Sequence, residues 1–225
     1  MIKKICGPSY DKRLFNLSLP PQVKLPNRFY QKLFLKNNDL LESNNIAVLV
    51  SGGIDSALLY FLLHISNIEN NTKWNIVGYT VDRKDGSKYF ALKVMNWIHN
   101  YFSLNEPCIR IVGNNMLPAN EQVESGINDV LINQCNYAYI GVIDVRPEHA
   151  INIKIPKVKE TNKIKYPFVN LQKSHIIDLY SQYSILDLIP QTHSCNINKL
   201  DECGYCNGCK EREWGLKEMG LTNFI

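Results

Sequence analysis

The sequence predicts an α/β protein, an open parallel sheet with helices on both faces, that ends in a metal-binding tail. Apolar runs alternate with segments of helical period from residue 46 onward, which is typical of parallel strands covered on both faces. A glycine-containing turn at residues 51–56 (SGGIDS) joins the first strand to the first helix. Four of the seven cysteines crowd between residues 195 and 209, where we expect a metal site.

Each predicted element follows from its local pattern. Residues 46–50 form a continuous apolar run, so we expect a buried strand. The next helix, 55–65, is apolar nearly all round and is expected in the core. Residues 154–166 are predicted as a loop. The same alternation predicts strands at 75–81, 107–112 and 137–143, and helices at 87–102, 122–135, 173–183 and 210–219.

These elements divide the chain into three parts. Residues 1–44 form an N-terminal extension with a candidate helix at 29–41 and no indicated role. Residues 45–190 form the α/β domain, and residues 191–225 form the cysteine tail with a terminal helix. A length of 225 residues suits one such domain with a small appendage.

Composition excludes several classes of protein. The formal net charge of +4 is dispersed along the chain, so nucleic-acid binding is not indicated. We expect no signal peptide, because no apolar segment follows the first basic residues, and no membrane span, because no run of about 18 apolar residues occurs. The total of seven cysteines is odd, and four of them are clustered. Both features favour a reducing cytoplasm over a disulfide framework.

The carboxyl ends of the predicted strands define one crevice. Ligands in open parallel sheets bind there. The residues that this rule brings together are Ser51, Val81, Asp82, Val112, Gly113 and Asp144.

The glycine turn at residues 51–56 is suited to hold phosphate. Its glycines let the backbone approach a ligand closely, and unpaired amides at the helix start attract anions. The hydroxyl groups of Ser51 and Ser56 add donors. The alternative is a tight strand-to-helix turn that Asp55 or Ser56 caps.

The turn resembles the signature of the PP-loop ATP pyrophosphatases, Ser-Gly-Gly-x-Asp-Ser after a first strand. It differs from a Walker A loop, which ends in Gly-Lys-Ser/Thr. The resemblance implies that the loop holds the β- and γ-phosphates of ATP as leaving pyrophosphate, with Mg²⁺ held by Asp55. It also implies that Val81 and Asp82 frame the adenine, although Asp82 could equally be a turn carboxylate. The ATP-binding residues implied are Val50, Ser51, Gly52, Gly53, Asp55, Ser56, Val81 and Asp82.

The cysteines are spaced C-x7-C-x2-C-x2-C, at Cys195, Cys203, Cys206 and Cys209. Four thiolates match tetrahedral Zn²⁺ in a closed structural site. An iron–sulfur cluster is the alternative, although its usual bacterial spacing is tighter.

The tail also resembles that of the 7-cyano-7-deazaguanine synthases, which show Ser-Cys and then Cys-Gly-x-Cys-x-x-Cys near an arginine. Here residues 194–195 and 203–212 carry that pattern, and residues 167–176 resemble the family's proline and Lys-x-Glu-Ile segment. His175 stands where glutamate is usual. The resemblance implies that Lys173 reaches phosphate, and a solvated lysine is the alternative.

The substrate segments depart from the family. Residues 125–128 keep the glycine and asparagine of Pro-Gly-Arg-Asn but lose the other two, and the loop before residues 144–148 is short. Arg146 is expected to pair with a substrate carboxylate and Glu148 to orient an amine, with a surface ion pair as the alternative. The implied substrate-binding residues are Gly126, Asn128, Asp144, Arg146 and Glu148.

These patterns predict an AMP-forming C–N ligase that uses ATP, Mg²⁺ and Zn²⁺. The resemblance implies adenylation of a 7-deazapurine carboxylate, displacement of AMP by ammonia, and dehydration of the amide to a nitrile, with Asp55, Ser56 and Lys173 in catalytic roles. Other acceptors, a tRNA base or a protein carboxyl group, stay open, as does a non-catalytic nucleotide-binding module. The sequence leaves the nitrogen source open, and a homodimer is compatible with it.

Overall fold

The computed structural model describes residues 45–69, 71, 73–113, 116–117, 119–132, 135–144, 163–197 and 201–225. Three predictions lie outside these residues: the 29–41 helix, and the substrate roles of Arg146 and Glu148.

The described chain forms a five-stranded parallel sheet in the order β3-β2-β1-β4-β5. The strands are β1 (Asn45–Leu49), β2 (Asn75–Val81), β3 (Ile109–Val112), β4 (Tyr137–Ile140) and β5 (Ile164–Lys165). The helices are α1 (Ile54–Glu69), α2 (Ser87–Phe102), α3 (Ala119–Ile132), α4 (Lys173–Gln182) and α5 (Asn207–Glu218), with 3₁₀ turns at Leu186–Gln191 and Thr222–Phe224. The predicted open parallel sheet is confirmed.

Three short elements were not predicted, one of them the 3₁₀ turn Thr222–Phe224 at the end of the chain. β5 lies inside the stretch predicted as a loop, and the 3₁₀ turn Leu186–Gln191 follows α4. β5 has only two residues, so no alternation of side chains can reveal it. It exists because it pairs with β4, through Ala138 with Ile164 and Tyr139 with Lys165.

Helices cover both faces of the sheet, and each face has its own apolar cluster. The larger cluster contains α1, whose side chains are buried nearly all round as predicted, between the sheet, α2 and α4. The smaller cluster packs Val130 of α3 against Ala47, Val77 and Tyr79 of the central strands. Among the described residues, no helix is both long enough and apolar enough to cross a membrane.

The order of the strands reverses at β1, which fixes where a ligand site can form. The chain runs from β1 to β2 and β3 on one side, and then returns to place β4 on the other side of β1. Crevices open at the carboxyl ends of strands at such a reversal. The 51–56 loop follows β1 directly, so it lies at this switch point.

Candidate nucleotide and metal site

The 51–56 loop is held in shape by its own hydrogen bonds. Ser56 Oγ accepts from the Ser51 amide at 3.1 Å and donates to the Gly53 carbonyl at 3.1 Å. The two serine hydroxyls lie 3.1 Å apart. Gly52 has a φ of 80°, and a Cβ there would lie 2.4 Å from Phe90 Cβ, so only glycine fits. The loop therefore presents its backbone and the start of α1 in a fixed arrangement.

A buried lysine pairs with the aspartate of this loop. Lys173 Nζ donates to both carboxylate oxygens of Asp55, at 2.7 and 2.5 Å, and lies 3.5 Å from Glu211 Oε2. Lys173 is only 4% exposed, which argues against the alternative of a solvated lysine. Burial lowers its pKa, but Asp55 and Glu211 outweigh burial, so the pKa is raised and the group is a cation. α4 thus places a positive charge beside the 51–56 loop.

Glu211 completes this triad from the helix that begins at the cysteines. Burial raises its pKa, and the charge of Lys173 partly opposes that shift. Its Oε1 atom is buried and has no hydrogen-bond partner among the described residues. The triad therefore ties α1, α4 and α5 together beside the loop.

Two cavities meet at the 51–56 loop. One, of about 200 Å³, is called the apolar cavity because most of its walls are the apolar side chains of Leu49, Val50, Tyr79, Val81 and Ile140. The other, of about 190 Å³, is called the polar cavity, and its walls include Gly53, Asp55, Lys173, His193, Asn196 and Glu211. An apolar cleft beside a charged one matches the two halves of a nucleotide.

The residues at the end of β2 differ in their positions. Val81 is buried and lines the apolar cavity, and its role beside adenine stays a prediction. Asp82 lines neither cavity; its side chain is 46% exposed and lies 3.7 Å from Lys88. This placement favours the alternative of a turn carboxylate for Asp82.

The four cysteines of the tail converge. Their ligand atoms all lie within 4.8 Å of one another, with sulfur–sulfur separations of 3.4, 3.9 and 4.0 Å for three of the pairs. Four thiolates about 2.3 Å from one Zn²⁺ would be separated by about 3.8 Å, so the sulfur positions fit a single tetrahedral ion. The cluster can therefore bind a metal.

Glu202 lies beside this cluster. Cys209 Sγ donates to Glu202 Oε2 at 2.8 Å, and burial followed by this carboxylate raises the pKa of the thiol. Glu202 Oε1 accepts from the Ser194 amide at 2.7 Å and lies 3.7 Å from Arg212 Nη1. A metal ion would replace the Cys209 proton, and Glu202 would then remain held by Ser194 and Arg212.

The start of the tail, at His193, packs against the 51–56 loop. The His193 amide donates to the Gly52 carbonyl at 2.9 Å. The His193 ring stacks on Phe90 of α2, with centroids 4.1 Å apart and planes 6° apart. Because Cys195 is only two residues farther on, the cluster and the loop are held in one unit.

The described substrate-binding candidates are not among the walls of the two cavities. Gly126 is buried, and a Cβ there would lie 2.8 Å from Val81 Cγ2, so packing of α3 accounts for this glycine. Asn128 and Asp144 are exposed, and the Asp144 amide donates to the Leu171 carbonyl at 2.8 Å. Their substrate roles stay predictions.

Sequence reasoning did not find Arg83, His193 or Glu211 as site residues. Arg83 follows β2 without a motif, and Glu211 lies among cysteines whose spacing indicates metal only. His193 was noted as part of the tail, but its contact with Gly52 joins residues 141 positions apart, 193 minus 52. No local pattern reports such a contact.

The family model "Queuosine biosynthesis protein QueC" matches residues 121–220 of the chain, which include α4 and all four cysteines. Residues 121–220, which are less than half of the chain, are thus similar to that family. The 51–56 loop lies outside the matched residues, so the loop and the match are independent observations.

Solved structures of other proteins share the fold of this chain. The U34-tRNA thiolase NcsA from Methanococcus maripaludis, with its [4Fe-4S] cluster, is 14% identical over 87% of this chain and 75% of its own, with a TM-score of 0.52. NMN synthetase from Francisella tularensis is 13% identical over 89% and 94%, with a TM-score of 0.47. The likeness to NcsA confirms the predicted PP-loop fold, and the QueC match over residues 121–220 supports ATP-dependent adenylation chemistry.

Proposed function

We propose that this protein uses ATP to adenylate the carboxylate of a 7-deazapurine and that ammonia then displaces AMP. The product is an amide, a nitrile formed from that amide by a second ATP-dependent activation, or both. The observation that carries the proposal is the junction of an apolar and a polar cavity at the 51–56 loop. It rests in addition on the QueC match over residues 121–220.

We propose one orientation of ATP at this junction. Adenosine occupies the apolar cavity, and the β- and γ-phosphates lie on the 51–56 loop at the start of α1, facing Lys173. A carboxylate oxygen of the acceptor attacks the α-phosphorus. The bond from this phosphorus to its bridging oxygen breaks, and pyrophosphate leaves with the electron pair. Lys173 and the amides of the loop stabilise the negative charge on the leaving group.

The residues at the loop suit Mg²⁺, which prefers carboxylate, phosphate and water oxygens. Asp55 is the carboxylate in the loop itself, and we propose that it holds the ion directly or through water. Both of its oxygens accept from Lys173, so the ion and the lysine share this carboxylate. A bound Mg²⁺ would neutralise charge on the pyrophosphate.

We propose Zn²⁺ for Cys195, Cys203, Cys206 and Cys209. Short sulfur–sulfur separations suit one ion, whereas a [4Fe-4S] cluster binds each of four cysteines to a different iron atom. The closed set of thiolates assigns the ion a structural role. NcsA carries a [4Fe-4S] cluster, so metal analysis must test both.

We propose Gly126, Asn128, Asp144, Arg146 and Glu148 for the acceptor, with the guanidinium of Arg146 on a carboxylate and Glu148 on an amine. Free ammonia or a partner supplies nitrogen. We place the protein in the cytoplasm, and a homodimer stays open. A tRNA base is the rival acceptor, since NcsA is a tRNA thiolase.

The test is product analysis with α-³²P-labelled ATP, Mg²⁺, ammonium and 7-carboxy-7-deazaguanine. We expect labelled AMP, with the amide or nitrile in the mass spectrum. AMP formed only when tRNA replaces the deazapurine would move the function to the rival acceptor. Labelled ADP, or no product with either acceptor, would contradict the proposal.

A further inference from the structure

Arg83 lies at the boundary between the apolar and the polar cavity. Among the described residues, three line both cavities: Ser51, Arg83 and Ser87. Ser51 belongs to the phosphate loop, and the Ser87 hydroxyl donates to the Val81 carbonyl at 2.6 Å. Arg83 is therefore the charged residue of these three.

The turn that carries Arg83 is rigid. The Arg83 amide donates to the Val81 carbonyl at 2.9 Å and to Ser87 Oγ at 3.3 Å. Its guanidinium lies 3.0 Å, Nη2 to Oδ2, from the buried Asp85, whose Oδ1 accepts from the Ser87 amide at 3.1 Å. The base of the side chain and one edge of the guanidinium are thus held at the cavity wall.

The guanidinium keeps unused donor capacity. Its Nε atom is buried and has no hydrogen-bond partner among the described residues, while the side chain as a whole is 23% exposed. A buried donor without an acceptor is unfavourable. Arginine also matches phosphate oxygens with two parallel hydrogen bonds. An oxyanion at the boundary would satisfy this group without moving the backbone.

We infer that Arg83 binds the α-phosphate of ATP and stabilises the charge that develops on its oxygens during adenylation. This inference rests on the proposed function, in which ATP spans both cavities and its α-phosphate lies between them. As the acceptor oxygen bonds to the α-phosphorus, negative charge stays on the non-bridging oxygens. Arg83 gives and takes no proton. Lys173, deep in the polar cavity, serves the leaving pyrophosphate instead.

The test compares R83Q and R83K with K84Q, a matched control that removes the same charge from an exposed neighbour in the same turn. Binding of adenosine, AMP and ATP is measured by calorimetry. We expect R83Q to weaken AMP and ATP binding about tenfold or more and to change adenosine binding by less than about twofold. R83K should lose part of the affinity, because a point charge lacks the bidentate contact. K84Q should match the wild type.

Turnover gives a second measurement. In R83Q we expect kcat for AMP formation to fall about 100-fold, beyond the loss in binding. Equal weakening of adenosine and AMP would mean a purely structural role and would overturn the inference, as would unchanged AMP binding. If R83Q does not fold, R83K decides by the same AMP criterion. A wild-type protein that forms no AMP with any acceptor refutes the proposed function, whereas the nucleotide titrations still decide the role of Arg83.

Discussion

The phosphate loop and the cysteine cluster border the same polar cavity, yet they are held together differently. Ser51 and Ser56 close the loop with hydrogen bonds of ordinary length. The cluster has four thiols whose mutual contacts are 3.4–4.0 Å, and thiols are weak hydrogen-bonding groups. The loop is therefore shaped by the chain itself, whereas the cluster is a set of thiols that a metal ion would hold together.

Two contacts join these regions. Glu211 of α5 lies against Lys173, and Lys173 is bonded to Asp55 of the loop. His193 donates to the Gly52 carbonyl. α5 begins directly after Cys206, and His193 lies two residues before Cys195. We therefore expect a change in the cluster to affect the loop through both contacts. The following predictions separate what each region contributes.

The largest effect is expected from Lys173. K173M removes the cation opposite the leaving pyrophosphate, and we expect kcat for AMP formation to fall about 100- to 1,000-fold. It also leaves Asp55 and Glu211 buried without a counter-charge, so the free energy of unfolding should fall by about 3 kcal/mol. Steady-state kinetics and urea unfolding measure both. K210M, at an exposed lysine of α5, is the control and should change neither. A K173M enzyme with near-normal kcat would remove Lys173 from the mechanism.

A smaller effect on chemistry is expected from the cluster. C209S should lose the bound metal and lower the unfolding midpoint by about 6–12 °C, the shift that about 3 kcal/mol produces in a chain of this size. Through Glu211 and His193, KM for ATP should rise about tenfold. Elemental analysis and thermal unfolding measure the first two effects. C108S changes an exposed cysteine outside the cluster and serves as the control. Full metal content in C209S would refute the four-thiolate site.

The contact between tail and loop can be weakened alone. H193A removes the ring stacked on Phe90 but keeps the amide bond to Gly52. Loss of such a stacked pair is worth about 0.5–1.5 kcal/mol, so we expect KM for ATP to rise about two- to tenfold with the metal retained. Kinetics and metal analysis on the same sample show whether the two regions separate. Loss of metal in H193A would show that the ring supports the cluster rather than the loop.

The prediction with the smallest effect on catalysis concerns stability alone. It lies away from both regions, in the core between α1 and α2. Burial, and then the neighbouring His99, lowers the pKa of His64 to about 3. Below about pH 6.5 the unfolded chain binds a proton that the folded chain does not, so stability is complete above pH 6.5 and falls toward acid. Between pH 7 and pH 5, His64 contributes at most about 2 kcal/mol to the loss in the free energy of unfolding.

H64L removes this proton uptake. Urea unfolding at pH 7 and pH 5 should therefore show a smaller loss of stability in H64L than in the wild type. His175, whose pKa burial lowers to about 4, and His99, whose pKa burial also lowers, add slope in the same direction in both proteins. Asp178, whose pKa burial raises to about 6, opposes it in both. An identical pH dependence in both proteins would contradict the assignment to His64.

Local sequence patterns were sufficient to predict the first and last residues of an element where turn residues bound it. β2 and α2 begin and end at the predicted residues, because Gly86 and Ser103, both with left-handed backbone, bound α2. β5 escaped prediction because two residues carry no period. The loop and the cysteine set were also found locally, since their spacing is the signal.

The rest of the site could not be predicted because it depends on contacts between distant segments. Asp55 and Lys173 are 118 positions apart, so the sequence suggested a metal ligand and a phosphate contact but not their ion pair. The resemblance indicated Asp82 at the end of β2, whereas the cavity walls include Arg83 and not Asp82. Which side chain faces a cavity is decided by the turn that carries it.

The central claim is that the 51–56 loop holds the outer two phosphates of ATP. A crystal structure of the protein with Mg²⁺ and α,β-methylene-ATP, which keeps all three phosphates in place, tests it most directly. We predict the β- and γ-phosphates on the amides of this loop, within reach of Lys173, with the base in the apolar cavity beside Val81. Phosphates bound elsewhere, or the γ-phosphate facing the acceptor, would contradict the account.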